Sequence, residues 1–380
     1  LLFAFIVRFY YFIKTLDQPV WWDEAQYAEE AKRLGLGLQT NDIWYYRRTL
    51  FLPFLWSIFF RLGFNESMLR FSEVIFSVLL VYVTYLLAKA LFNNKNIALI
   101  SSLGIAISRI VLIETTRLHN SVPAAVFMTL AIYYFYTGYL KEIKLKNIYL
   151  FGLFTGLAMS TRFATFLAVI SFGLAVLIKE KGKFWKNIHI IGSFLLILII
   201  LMPFFVSYQK HYPGGVKDFL KQYGEIGLPQ EQKQPYLGIS GLYLYLKAIP
   251  DNISMFLFIM FVVGLIFMLD FVIAPDLLFK NNDLQKNLFL ILFMLPPFIY
   301  HSLKSLYVEE RYLIGILPLA VIISAYGLNK IYDYSKDYSK YLAISVISIL
   351  LLISSFYQVQ AADDLINSKI AKITIPINMS

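Results

Sequence analysis

Four clusters of ionisable side chains carry the residue types needed for acid–base and phosphate chemistry. The densest is VWWDEAQY, where Asp23 and Glu24 directly follow a Trp pair. An acidic pair held at a membrane interface can deprotonate a hydroxyl nucleophile or hold a divalent cation against a phosphate. The same residues admit a second role: Asp23 with Gln26 three positions on forms a capping-box pattern, and Trp21 and Trp22 suit an aromatic belt. Arg47 and Arg48 follow two tyrosines, and their guanidinium groups fit bidentate capture of phosphate oxygens or contact with lipid headgroups. The segment ETTRLHN supplies Glu114, Arg117 and His119, read either as a plain Glu114–Arg117 ion pair or as a functional group close to membrane depth. In VEERYL, Glu309, Glu310, Arg311 and Tyr312 stand together, with Arg311 either binding a lipid phosphate or snorkelling to the interface. Arg162 carries a weaker form of the same choice.

The elements that must position these residues are membrane spans. Of 380 residues 59% are hydrophobic and only 15% charged, with mean hydropathy +0.65, too apolar for a water-exposed surface. Apolar stretches fall at about 1–16, 69–92, 97–113, 121–140, 148–163, 164–179, 188–207, 252–272, 287–302, 311–329 and 341–358. The expectation is an all-α polytopic membrane protein of about eleven transmembrane helices forming a single domain over residues 1–380. The run from 148 to 179 is too long for one span and is divided near Thr161-Arg162. Lysines concentrate in alternate short loops, including Lys95, Lys141, Lys144, Lys146, Lys179, Lys286, Lys330 and Lys340, which the positive-inside rule places in the cytoplasm. Residues 17–68 and 208–251, the turn from Glu114 to Asn120 and the loop from Leu303 to Glu310 then face outward, on the extracytoplasmic side of the cell membrane.

Within the first long outer loop, DEAQYAEEAKRL places Ala25, Ala28, Ala31 and Leu34 at helical spacing. The apolar segment LFLPFLWSIFFRLG is too short to span and reads as a helix lying in the interface. The loop at 208–251, punctuated by Pro and Gly, is expected to be a flexible flap, and residues 359–380 a short outer tail. The opening apolar run is shorter than a span and lacks an initiator Met. The chain is accordingly read as beginning inside a helix, and as either naturally short or cut at both ends.

The net charge of +10 forms no continuous basic stripe, so nucleic acid is not an expected partner. With no Cys and only four His, any metal would rest mainly on carboxylates; a divalent metal is possible, and no cofactor is certain. P-loop, HExxH, GxSxG and Rossmann patterns are absent, which removes support for ATP hydrolysis, zinc proteolysis and serine hydrolysis.

Taken in order, WWDEAQYAEEAKRLG, RLGFNESMLRF, ETTR and EERYLIGILPLAVIISAYGL resemble the GT-C class of membrane glycosyltransferases, in the branch of protein O-mannosyltransferases and the lipid A aminoarabinose transferase. The resemblance covers about residues 8–330. It implies a polyprenyl- or dolichyl-phosphate sugar donor, an outer first loop with helices lying on the membrane that forms the site, and inverting transfer to a protein, lipid or glycan acceptor. By that analogy Asp23 is the base, Glu24 and Glu114 orient the acceptor or a metal, and Arg48, Arg117 and Arg311 meet the donor phosphate. Tyr27, Arg47, His119 and Tyr312 are possible substrate contacts. The chain departs from the aminoarabinose transferase pattern in carrying Arg47-Arg48-Thr49-Leu50 where that type has Lys-Pro-Pro-Leu, so donor and acceptor identity do not carry over. The alternatives are a transporter or lipid-linked-sugar flippase, which would place ionisable groups and broken helices near the midplane, and an oligosaccharyltransferase-like enzyme, whose WWD signature belongs to a soluble domain late in the chain.

Overall fold

The computed structural model describes residues 1–20, 22–38, 49–180, 182, 185, 187–211, 214–217, 239–269, 272, 282–304 and 309–373. Among them every regular element is helical, as a lipid environment demands of a chain that must satisfy its own backbone polar groups. The helices are α1 (Leu2–Lys14), α2 (Trp22–Leu36), α3 (Phe51–Arg61), α4 (Glu66–Phe92), α5 (Lys95–Ile107), α6 (Arg109–Glu114) and α7 (Ser121–Phe135). There follow α8 (Leu145–Thr161), α9 (Phe166–Lys179), α10 (Ile188–His211), α11 (Ile239–Ile253), α12 (Met255–Met268), α13 (Asn282–Lys304) and α14 (Leu317–Ile373). The 27 residues of α4 rise about 40 Å, enough to cross a bilayer. By length and composition α4, α10 and α14 are each sufficient to span, while α11 and α12 are bent by 115° at their junction, the geometry of a broken span or a re-entrant loop. This protein is a polytopic membrane protein.

Local sequence explains the breaks. Asn93 adopts a left-handed conformation (φ 48°) that ends α4, and the Asn94 side chain then accepts from the Asn96 and Ile97 amides to start α5. Ser254 (φ 78°) makes the bend between α11 and α12, its hydroxyl accepting from the Leu257 amide. The expected division at Thr161-Arg162 is present, with α8 ending at Thr161 and a short 3-10 turn, Phe163–Thr165, leading into α9. The break of the 97–113 stretch at Ser108, where α5 gives way to α6, went unanticipated, since neither Pro nor Gly marks it.

Two further differences concern the long loops and the tail. Within the expected tail, residues 359–373 are helical, α14 continuing through them after a kink at Ser339. The 208–251 loop is helical where it is described near its ends, in α10 up to His211 and in α11 from Ile239; residues 218–238 lie outside the described residues.

Helices approach most closely where side chains vanish. Gly264 of α12 and Gly327 of α14 meet so tightly that a β-carbon on Gly327 would overlap the Met260 carbonyl and the Gly264 backbone, the small-residue packing expected where lipid supplies no hydrophobic drive between helices. Gly327→Val is expected to cost at least about 1–3 kcal/mol, seen as a lowered thermal midpoint and a reduced monodisperse fraction in detergent.

Candidate active site

Helices α2 and α3 pack against each other, and the first turn of α2 carries Asp23 and Glu24. Helix α2 is held by one apolar cluster in which Tyr27, Ala28 and Ala31 meet Leu52, Trp56 and Phe60 of α3 and Leu118. Of the four residues at helical spacing in the sequence, Ala28 and Ala31 lie on this packing face, while Ala25 and Leu34 are half-buried outside the cluster. The helix begins at Trp22, so Asp23 sits inside the first turn instead of at its cap; acidic side chains there complement the helix dipole.

The two neighbouring carboxylates have opposite surroundings. Glu24 is fully buried between two arginines, with Arg117 Nη1 at 2.8 Å from Oε1 and Arg70 Nη2 at 3.3 Å from Oε2. Arg70 also donates to the carbonyls of Thr15, Gln18 and Pro19, tying the end of α1 to α2. Asp23 is 25% exposed and pairs with Arg311, Nη2 to Oδ2 3.0 Å. The same guanidinium donates through Nε to Glu309 and through Nη1 to His119 Nε2 at 3.1 Å. His119 Nδ1 lies 2.7 Å from Glu114 Oε2. One tautomer satisfies both contacts: neutral His119 donates from Nδ1 to Glu114 and accepts at Nε2 from Arg311. A continuous chain thus runs Glu114–His119–Arg311–Asp23, and the plain Glu114–Arg117 pair is not what forms.

Burial lowers the Arg311 pKa, but Glu309, Glu114 and Asp23 outweigh it and raise the group above its ordinary value. Burial alone would raise Glu114, the last residue of α6, yet His119, Arg311 and Arg117 together hold its carboxyl below the usual range. The folded pKa being depressed, the stabilisation is present above the ordinary value of 4.5 and is lost as pH falls through the lower folded value. The thermal midpoint of the wild type should therefore drop more steeply below that pH than that of Glu114→Gln.

Tyr27 is buried and accepts a hydrogen bond from Asn120 Nδ2 at 2.7 Å, supporting the turn after α6. Tyr312 forms a wall, with His301 stacked at 5.1 Å and the Arg162 guanidinium 4.8 Å from its ring centre. Burial, then Glu309, raises its phenol pKa. Arg162 also donates to Ser121 Oγ at 2.7 Å. Arg47 and Arg48 lie outside the described residues. No three His, Asp or Glu side chains among the described residues converge in a metal-binding arrangement.

Sequence reading missed several ionisable groups within apolar runs: Arg8, Arg70, Glu73 and Arg109. The signal was available, since a charged residue inside a span is costly unless it is used. Arg8, fully buried in α1, donates to Ser77 and to the Ile105 and Ala106 carbonyls in the last turn of α5, beside the α5–α6 break. Arg109 pairs with Glu310, anchoring the 3-10 turn Glu310–Gly315 that holds Arg311. Glu73 is buried on α4 with no hydrogen-bond partner for either oxygen among the described residues, and the structure gives no physical account of it.

The arrangement of helices is shared with solved membrane enzymes. The chain superposes on ArnT from Cupriavidus metallidurans bound to undecaprenyl phosphate with TM-score 0.66 and 15% identity, over 92% of this chain and 63% of that one. It also superposes on the Archaeoglobus fulgidus oligosaccharyltransferase in its apo form, with TM-score 0.59 and 15% identity, over 94% and 56%. A further match, with TM-score 0.56, is to the oligosaccharyltransferase AglB of the same organism in complex with an inhibitory peptide and a dolichol-phosphate. Residues 47–206 match the family model described as dolichyl-phosphate-mannose-protein mannosyltransferase, in keeping with the resemblance in the sequence. An uncharacterized protein of Aquifex aeolicus is 30% identical over 158 residues, which are 42% of this chain and 28% of that protein. The chain thus spans under two thirds of the length of these relatives.

Proposed function

We propose that this protein transfers a sugar from a polyprenyl- or dolichyl-phosphate carrier to an acceptor hydroxyl, with inversion at the anomeric carbon, on the extracytoplasmic face of the membrane. The observation that carries the reading is the contrast at the acidic pair: Glu24 is enclosed by Arg70 and Arg117, whereas its neighbour Asp23 is accessible and oriented by Arg311. An accessible carboxylate oriented by a guanidinium suits a general base. As the acceptor oxygen bonds to the anomeric carbon, its proton passes to Asp23, and the bond from that carbon to the phosphate oxygen breaks. The electron pair leaves with the lipid phosphate. Arg311 and Arg117, each with five N–H groups and so with donors beyond the contacts described, face the charge that grows on the leaving phosphate. Glu114 and His119 hold Arg311 in place, and Glu24 does the same for Arg117.

The family model's donor chemistry and the lipid phosphates bound by ArnT and AglB support this reading. Sidedness rests on the lysine distribution. A transporter reading is weakened at Arg8, which lies inside a span as a pathway charge would, because its donors are consumed by Ser77 and by helix carbonyls. The test is a panel of labelled polyprenyl-phosphate sugars offered to purified protein in liposomes together with membrane extract. Label appearing in an acceptor is the expected result. Passage of donor or solute across the liposome membrane without transfer would favour transport.

A further inference from the structure

Far from the candidate site, at the lysine-rich end of the bundle, a cleft of about 370 Å³ opens between α5 and the two halves of α14. Three helical stripes line it. Asn96, Leu99 and Ile100 come from α5, and Leu328, Asn329 and Tyr332 from α14 before its kink. Ile344, Ile347, Ser348 and Leu351 come from α14 after it, at the i, i+3, i+4, i+7 spacing of one face. This last stripe is about 10 Å long. The polar groups gather at the lysine-rich mouth, where Asn94 Nδ2 donates to Asn329 Oδ1 at 3.2 Å, and the aliphatic groups lie toward the bilayer interior.

The cleft exists because the last span is attached at one end. Toward the candidate site, Lys14 pairs with Asp363 at 2.7 Å, the Tyr11 hydroxyl donates to the Val359 carbonyl, and Gln358 bridges the Arg109 amide and the Asp251 carbonyl. Toward the lysine-rich end the helix stands away from the bundle, with Tyr341 84% and Leu342 64% exposed.

We propose that this cleft binds one anionic phospholipid of the adjoining leaflet, an acyl chain filling the wedge and the phosphate resting on Lys95 and Lys340. Charge and register favour this occupant. Lys340 lies one turn beyond Ile344 on the lining face, and Lys95 lies one turn beyond Leu99 on α5. Both are exposed and carry no ion pair among the described residues. Lys336, one turn beyond Tyr332, is bound by Asp333 at 2.7 Å, and Asp337 stands near it. Of the three lysines at this mouth, Lys95 and Lys340 are thus the ones left to meet an anionic headgroup, which gains from each of them.

The test uses delipidated protein in detergent, titrated with phosphatidylglycerol or phosphatidylcholine and read by native mass spectrometry and thermal midpoint. One phosphatidylglycerol is expected to be retained and to raise the midpoint more than phosphatidylcholine does. The doubly substituted Lys95→Glu, Lys340→Glu protein should bind it about tenfold or more weakly, and Ser348→Trp, which fills the wedge, should lose it. A Lys141→Glu, Lys144→Glu control at another loop should keep it. Equal retention of both lipids, or unchanged binding in the cleft variants, would overturn the proposal. Because the chain has no cysteine, Ser348→Cys supplies a single thiol. A disulfide-linked dimer through it in lipid nanodiscs would assign the cleft to a second copy and would also overturn the proposal.

Discussion

Asp23→Asn is expected to lower sugar transfer by about 10²–10⁴-fold, the range for loss of a general base, while the protein stays folded. The amide keeps the shape of the side chain and still accepts from Arg311 Nη2, which lies 3.0 Å from Oδ2 in the wild type, but it no longer takes a proton from an acceptor hydroxyl. The lost ion pair is partly exposed, so its removal should cost no more than about 1 kcal/mol. Turnover and thermal midpoint measured on the same preparation separate the two effects. If the Asp23→Asn protein turned over at the wild-type rate, Asp23 would not be the base.

The second large effect belongs to Glu24 and falls on stability. Glu24→Ala leaves Arg70 and Arg117 without their shared carboxylate in a region where Glu24 is 0% and Arg70 2% exposed. Breaking such a buried pair by removing one partner costs about 3–5 kcal/mol, because a charge is left uncompensated. Arg70→Met in the Glu24→Ala background should restore part of that loss, giving a favourable coupling in a double-mutant cycle. Thermal midpoints of the four proteins in one detergent measure it. Strict additivity would show that the pair seen between α2 and α4 carries no stabilisation.

The membrane class and the division at Thr161-Arg162 were legible because each rests on a local pattern: apolar run length and a polar dipeptide. The site residues Asp23, His119 and Arg311 were legible as candidates for a different reason, since ionisable side chains stand out against apolar neighbours. Their pairing was not legible. Asp23 and Arg311 are 288 positions apart, and nothing local distinguishes the Glu114–His119 bond that forms from the Glu114–Arg117 bond that does not. Arg70 shows the same limit: only the fold reveals that it clamps Glu24 and the end of α1. The α5–α6 break escaped because Arg8, which donates to the Ile105 and Ala106 carbonyls beside it, lies 97 and 98 residues away.

The most direct test of the account is a product balance in proteoliposomes, counting free polyprenyl phosphate released against sugar joined to acceptor and determining the anomeric configuration of the product. The account predicts one lipid phosphate for each sugar transferred, inverted configuration, and neither product with Asp23→Asn. Lipid phosphate released without a glycosylated acceptor, or a product that retains the donor's configuration, would contradict it.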